Sequence, residues 1–456
     1  MKNYDVIFIG TGHACWHGAL ILKFAGKKVA LVEKELLGGT CTNYGCDAKI
    51  LLDSPFELKD ALDRYENVGL AQAAKIDWKS LMQYKKQVIG AMQPGMQGLF
   101  DRFGFDVIRG FAKFIDNHTI EVAGELYSAK NFVIGTGQDY IPLDIPGKEY
   151  FHNSRDFLSL DEIPEHVTFV GAGIISMEFA SICLSLGRKV DVVTSGNTAL
   201  NAYPQEYVSK IVEKMKSQGA NFVWNADVKG IEKTGNKYIL NGSVKNGSDF
   251  AIESDYILIA VGRKANVENL GLENAGIEYS DRGIKVDSHL RTKAKNIYAS
   301  GDVIDTKIPK LTPTAEFDSN YIALDILLPI HSAIKYPPVP NLVFTLPRIA
   351  QTGVTIKEAK SHSELYRIEE VAFGQTMAWL NKNEGEAHMT FIFDRKKNPH
   401  LVGAAVFSED AGVYIDMITL IINKKLGVRD LGKMIFAFPT VTYGLIGLLQ
   451  PLFLKK

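Results

Sequence analysis

Polar and apolar positions alternate little at the start of the chain. "MKNYDVIFIG" carries an unbroken apolar run, residues 6–9, that ends at Gly10. Such a run bounded by glycine predicts a strand buried on both faces. The next stretch, "TGHACWHGALILKFAG", has helical spacing of apolar residues, and "KKVALVEK" is a second short apolar run. The pattern predicts strand, glycine turn, helix, strand. The same unit returns as "HVTFVGAGIISMEFASICLSLGRKVDVVTSGN". The chain is therefore α/β, with two Rossmann-like units.

Both turns follow the GxGxx-small spacing. Gly10 and Gly12 are followed by Cys15, and Gly171 and Gly173 by Ser176. Glycine at the second place lets backbone amides approach a pyrophosphate at the positive end of the following helix. Glu33 ends the second strand, where a carboxylate accepts hydrogen bonds from an adenosine ribose. The equivalent place in the second unit holds Thr194, followed by Ser195. No acid there repels a 2′-phosphate and no arginine grips one, so NADH and NADPH both stay open. One glycine turn alone is a weak signal. Two in full strand–turn–helix–strand context point to two dinucleotide sites, against the bland reading that one unit is a relic.

Composition narrows the classes. A net charge of −1 over 456 residues gives no reason to expect nucleic acid as a partner. The first apolar run is too short for a signal peptide, and no apolar stretch reaches spanning length. A cytoplasmic location is expected, and no integral membrane segment. A close cysteine pair there is more often catalytic or metal-binding than a structural disulfide. "GGTCTNYGCDAKI" holds such a pair, Cys41 and Cys46, out of four cysteines. No second pair completes a tetrahedral zinc site, so no metal is expected. His13 and His17 flank Cys15 and raise metal ligation, but the glycine-turn context reads them as lining a cofactor loop. Residues after Cys46 look helical, which puts that thiol at a helix start and favours its thiolate.

Five ordered segments then carry a resemblance: "GGTCTNYGCDAK", "NFVIGTGQDYIPLDIPG", "ILIAVGRKAN", "NIYASGDVIDTKIPKLTPTA" and "PNLVFTLPRIAQTGVT". Together with the two glycine turns, they make the chain similar to the flavin-dependent pyridine nucleotide–disulfide oxidoreductases. That family includes glutathione reductase, dihydrolipoamide dehydrogenase and mercuric reductase. The resemblance implies an FAD domain in two pieces, 1–149 and 264–333, around an NAD(P) domain, 150–263. A C-terminal α+β interface domain, 334–456, would build a homodimer. Carried over, Gly10, Gly12, Glu33, Thr40, Ala112, Thr136, Gly301, Asp302 and Thr312 would hold FAD. Gly171, Gly173, Thr194, Ser195 and Gly262 would line the NADH or NADPH site. Cys46 would be the flavin-facing thiolate and Cys41 the outer thiol that attacks the acceptor. Lys49, paired with Glu178, would stand near the flavin N5.

One departure bears on the acceptor. The resemblance implies a C-terminal His-Pro, with a glutamate five residues after the histidine, as acid–base from the partner subunit. Here "MIFAFPTVTYGLIGLL" has Phe438 and Tyr443 at those places, and the last histidine is His400. Without a proton donor, thiol–disulfide exchange expels a poorer leaving group. The expected reaction passes electrons from NAD(P)H through FAD and Cys41–Cys46 to a disulfide or other thiol-reactive acceptor. The alternatives are a diaphorase-like or metal-ion reductase, or a redox sensor of low turnover. The apolar tail "YGLIGLLQPLFLK" reads as a core or interface helix, with membrane-surface contact as the sharper reading.

Overall fold

A computed structural model describes residues 1–72, 74–245, 247–328, 332–396 and 398–455. The first glycine-turn unit runs β1 (Lys2–Ile9), α1 (His13–Phe24) and β2 (Val29–Glu33). β1 and β2 pair in parallel, Val6 opposite Val29 and Ile9 opposite Val32. Every residue of β2 is buried, which is why its sequence does not alternate. Glu125–Ile134 lies on the other side of β1, and Asp106–Arg109 extends the sheet beyond β2. The short strand Ile297–Ala299 comes from much later in the chain and joins Glu125–Ile134 in parallel. The first sheet is thus built from two separated pieces of sequence.

The second unit forms a four-stranded parallel sheet, ordered 221–223, 189–193, 166–170, 256–259. Its helix, Ile174–Ser185, is buried over most of its length. A five-stranded antiparallel sheet follows, ordered 341–343, 348–353, 401–408, 388–394, 366–372. The helices Ala411–Lys424 and Val441–Leu454 belong to the same C-terminal core. Leu445, Ile446, Leu449, Leu452 and Phe453 of the apolar tail are buried in that core. The tail's hydrophobicity is spent on packing, which removes the reason to assign it to a membrane surface. Among the described residues, no helix is long and apolar enough to cross a membrane.

Cys15 occupies the third small position of the first turn, and the structure shows how a thiol fits there. It is fully buried, and a Cβ placed on Gly135 would lie 2.3 Å from its sulfur. Gly135 thus leaves the space that the larger residue at the turn fills.

Candidate active site

A short helix and a long one carry the cysteines. α2 (Gly39–Tyr44) holds Cys41, and α3 (Cys46–Asp63) begins on Cys46 immediately after Gly45. Gly39 takes a φ of +71°, and a Cβ on it would come within 2.8 Å of Gly12 Cα. Only glycine lets the cysteine segment lie against the glycine turn of α1. Gly45 supplies no side-chain cap to α3, so the first-turn amides stay open beside Cys46.

Cys41 and Cys46 are free thiols, Cys41 half-buried and Cys46 exposed. Their acidities diverge. The Cys41 thiol bonds to the Cys46 sulfur, which together with burial pushes Cys41 far up. Cys46 is pulled down to about 6, first by that bond from Cys41. The Thr312 hydroxyl, 3.6 Å from Cys46 Sγ, and the Lys49 charge lower it further, while burial and Asp47 oppose them. One thiol is set to ionise and the other to keep its proton.

Lys49 lies one turn into α3. Its amide donates to Gly45 O, and its ammonium sits 3.0 Å from Glu178 Oε2. Glu178 comes from the second unit's helix and also accepts from Phe344 N at 2.9 Å. The Phe344 ring lies 3.7 Å from Lys49 Nζ. Behind this pair, Arg348 of the C-terminal sheet bonds to Asp53 and Glu57 of α3. Phe344 and Arg348 lie within the segment "PNLVFTLPRIAQTGVT" and Asp53 in no motif, and sequence reasoning gave none of the three a part in the site. Three units therefore meet on one helix.

The remaining expected residues fall into two groups. Around α1, Glu33 is buried and accepts from Thr11 N (3.1 Å), Thr11 Oγ1 (2.5 Å) and Glu35 N (2.9 Å). Thr40 is half-buried in α2, and Ala112 is buried at the start of its strand. Thr136 Oγ1 donates to Asn266 O at 2.7 Å, and Gly301 N donates to Asp318 at 3.0 Å. The Asp302 carboxyl is raised by burial, with Arg263 and Lys310 opposing. In the second group, Gly171 and Gly173 form the second turn, and a Cβ on Gly173 would meet nothing within 4 Å. Thr194 Oγ1 accepts from Gly196 N, Ser195 is exposed, and Gly262 O accepts from Ile141 N. Lys49 and Glu178 join the two groups. Phe438 and Tyr443 lie together with ring centroids 5.0 Å apart, and both are exposed.

The residues present fit two dinucleotides. α1 and the helix Ile174–Ser185 both begin without a side-chain cap, leaving amides for phosphate, and the Gly173 turn opens onto free space. Ser176 Oγ, buried in the first turn of that helix, has no hydrogen-bond partner among the described residues.

Comparison with known proteins agrees. The profile described as pyridine nucleotide-disulphide oxidoreductase matches residues 4–318, and the dimerisation domain of the same family matches residues 339–445. The chain belongs to the pyridine nucleotide-disulphide oxidoreductases, enzymes that use FAD and NAD(P)H. It is 30% identical over 448 residues to a dihydrolipoyl dehydrogenase of Bacillus subtilis, spanning 96% of this chain and 94% of that one. It is equally similar to a mercuric reductase of Bacillus cereus, spanning 97% and 70%. Among solved structures it resembles RclA from Escherichia coli, an HOCl-induced flavoprotein disulfide reductase, with a TM-score of 0.85 at 26% identity over 97% of this chain and 98% of that one. A Cu(II) complex of RclA gives a TM-score of 0.86 over 99% and 100%.

Proposed function

We propose that the chain passes electrons from NADH or NADPH through FAD to the Cys41–Cys46 pair, and from Cys41 to a disulfide or other thiol-reactive acceptor. The placement of the pair carries this reading: Cys46 opens α3 with Thr312 Oγ1 3.6 Å from its sulfur, and Lys49 one turn on lies 3.0 Å from Glu178. When bound, FAD would supply two-electron chemistry between the nicotinamide and the disulfide. The protein's residues do the rest. Gly10, Gly12 and Thr40 would cradle the FAD pyrophosphate, Glu33 the ribose and Asp302 the ribityl chain, with Ala112, Thr136, Gly301 and Thr312 along the cofactor. Gly171, Gly173, Thr194, Ser195 and Gly262 would hold the nicotinamide dinucleotide. Lys49, paired with Glu178 at 3.0 Å, would place its ammonium where negative charge develops on the flavin. Thr312 and the open turn of α3 would stabilise the Cys46 thiolate, leaving Cys41 free to attack the acceptor.

The dimerisation-domain match supports a homodimer, and the exposed Phe438 and Tyr443 would pack at its interface. A second reading, a metal-ion reductase, is favoured by the missing histidine and by the mercuric reductase and Cu(II)-bound RclA likenesses. Among the described residues no group of three or more His, Cys, Asp or Glu could hold a metal. A metal would then meet the cysteine pair alone.

Anaerobic titration with NADH and with NADPH, followed by flavin and charge-transfer absorbance, tests cofactor choice and the cysteine pair together. Cys41→Ser is expected to keep flavin reduction and to lose disulfide turnover by at least ~10²-fold, the scale of removing an activated nucleophile. Surviving turnover would mean that electrons leave the flavin directly.

A further inference from the structure

Lys49, Asp53 and Glu57 follow one another at four-residue steps along α3, so they share one face of it. The connection between the strands Asn341–Val343 and Arg348–Gly353 packs on that face. Val343 pairs with Ile349 across the connection, and Thr345 Oγ1 donates to Pro347 O at 2.7 Å. At one end, buried Arg348 is fixed by Asp53 and Glu57. At the other, Phe344 reaches both members of the Lys49–Glu178 pair at once. Its amide donates to Glu178 Oε1 at 2.9 Å, while Glu178 Oε2 faces Lys49 Nζ at 3.0 Å. Its ring centroid lies 3.7 Å from the same ammonium and 4.6 Å from the Arg348 guanidinium.

A carboxylate alone does not fix a lysine. The ammonium rides a flexible four-carbon stem and can turn any of its N–H groups to an acceptor. The face of an aromatic ring adds a second, directional attraction, because its quadrupole is negative there. Only 19% of the Lys49 side chain is exposed, so water competes weakly for that contact. The ammonium is thus held from two sides, by groups that one residue fixes relative to each other. The Arg348 ion pairs tie the connection to α3, so ring and lysine share one mount.

We propose that Phe344 is a positioning residue for flavin reduction: its ring holds the Lys49 ammonium, and its amide the Glu178 carboxylate, where the flavin gathers charge. This rests on the reading above that Lys49 stands beside the flavin. Hydride transfer from NADH or NADPH brings two electrons and one proton and leaves the oxidised nicotinamide. One negative charge is thereby added. A fixed ammonium stabilises it more than a mobile one does, because no reorganisation is needed. The charge and the proton leave together when the two electrons pass to the disulfide, which opens to the Cys46 thiolate and the Cys41 thiol. Phe344 therefore acts through Lys49 on the flavin's potential, and has no part in the attack on the acceptor.

The test uses holoenzyme in a Cys46→Ser background, where the redox disulfide cannot form and the flavin is the two-electron centre. Phe344→Leu, which keeps the amide and loses the ring face, should shift the flavin's reduction equilibrium about threefold to tenfold toward the oxidised state. For a two-electron couple that is about 15–30 mV lower, read by anaerobic equilibration with a reference dye. Phe344→Tyr keeps the face and should stay within about twofold of the parent. Pentafluorophenylalanine in place of Phe344 keeps the shape and reverses the quadrupole, so it should behave as Phe344→Leu while the connection stays packed. Lys49→Met should lower the potential by itself, and Phe344→Leu added to it should change nothing further, because the two act as one unit. An equal Phe344→Leu shift with and without Lys49, no shift in either case, or a fluorinated ring that behaves as phenylalanine would overturn the proposal. So would a loss confined to NADH or NADPH affinity with the potential unchanged. If Lys49→Met leaves the potential where it was, the reading that puts Lys49 beside the flavin fails, and the proposal with it.

Discussion

A carboxylate in the first turn of α3 interacts well with the open amides of the helix start but badly with a thiolate one residue away. Asp47 is in that position. Its own carboxyl is raised by burial and lowered in turn by His13, and its charge raises Cys46. Cys46 is held near 6 against Asp47, chiefly by the bond from Cys41 and by Thr312. Removing the carboxylate removes an opposing negative charge, so the thiolate should persist further into acid. Asp47→Ala is expected to keep the charge-transfer band of the two-electron-reduced enzyme to lower pH than wild type. An anaerobic pH titration of that band checks it, and an unchanged midpoint would place the Asp47 charge away from the sulfur.

At the scale of elements, Cys15 and Gly135 act as a pair. The third position of a dinucleotide turn is small so that helix and strand pack closely. Here Cys15 fills it, and a Cβ on Gly135 would fall 2.3 Å from the sulfur and 3.3 Å from Ala14 Cβ. Gly135→Ala should therefore destabilise the first unit by about 1–3 kcal/mol, the cost of overpacking. Adding Cys15→Ala should recover most of that loss, because contacting sites do not add. Urea unfolding of the three variants with FAD bound measures the coupling. This pair also shows how far sequence reading reaches. The glycine turns, the buried strands and the helix starting at Cys46 follow from periodicity and local chemistry, so they could be read directly. Cys15 could be read as a small buried residue, but its partner, 120 positions away, has no local signature. Lys49 with Glu178 was reachable only through the resemblance. His13 and His17 were visible only as flanking Cys15, and the contact of His17 with Glu316 depends on packing between helices far apart in the chain.

Across the whole molecule, α3 ties the redox pair to the C-terminal sheet. Arg348 is nearly inaccessible, with Asp53 at 2.7 Å and Glu57 at 2.8 Å, and its guanidinium lies 4.6 Å from the Phe344 ring. Phe344 in turn bonds Glu178 and covers Lys49. The same short stretch of chain thus secures α3 and the second unit's carboxylate. Asp53 is raised by burial, and the Arg348 charge and hydrogen bond are the main forces that oppose this. Replacing Arg348 by Met would leave a buried carboxylate uncompensated, which costs about 3–5 kcal/mol when one partner of a buried pair is lost. The sign with pH follows from linkage. Without Arg348 the folded pKa of Asp53 rises further above its unfolded value, so ionisation opposes folding. The deficit should be small in acid, where Asp53 is protonated in both states, and should grow as pH rises through the carboxyl range. Stability of Arg348→Met relative to wild type, measured by urea unfolding from about pH 4 to 7, should therefore fall with pH. A pH-independent loss would mean that Arg348 acts through its packing on Phe344 and that Asp53 finds another partner. A falling stability joined to a weakened charge-transfer band would show that the C-terminal sheet also sets the charge beside Lys49, through the Phe344–Glu178 contact.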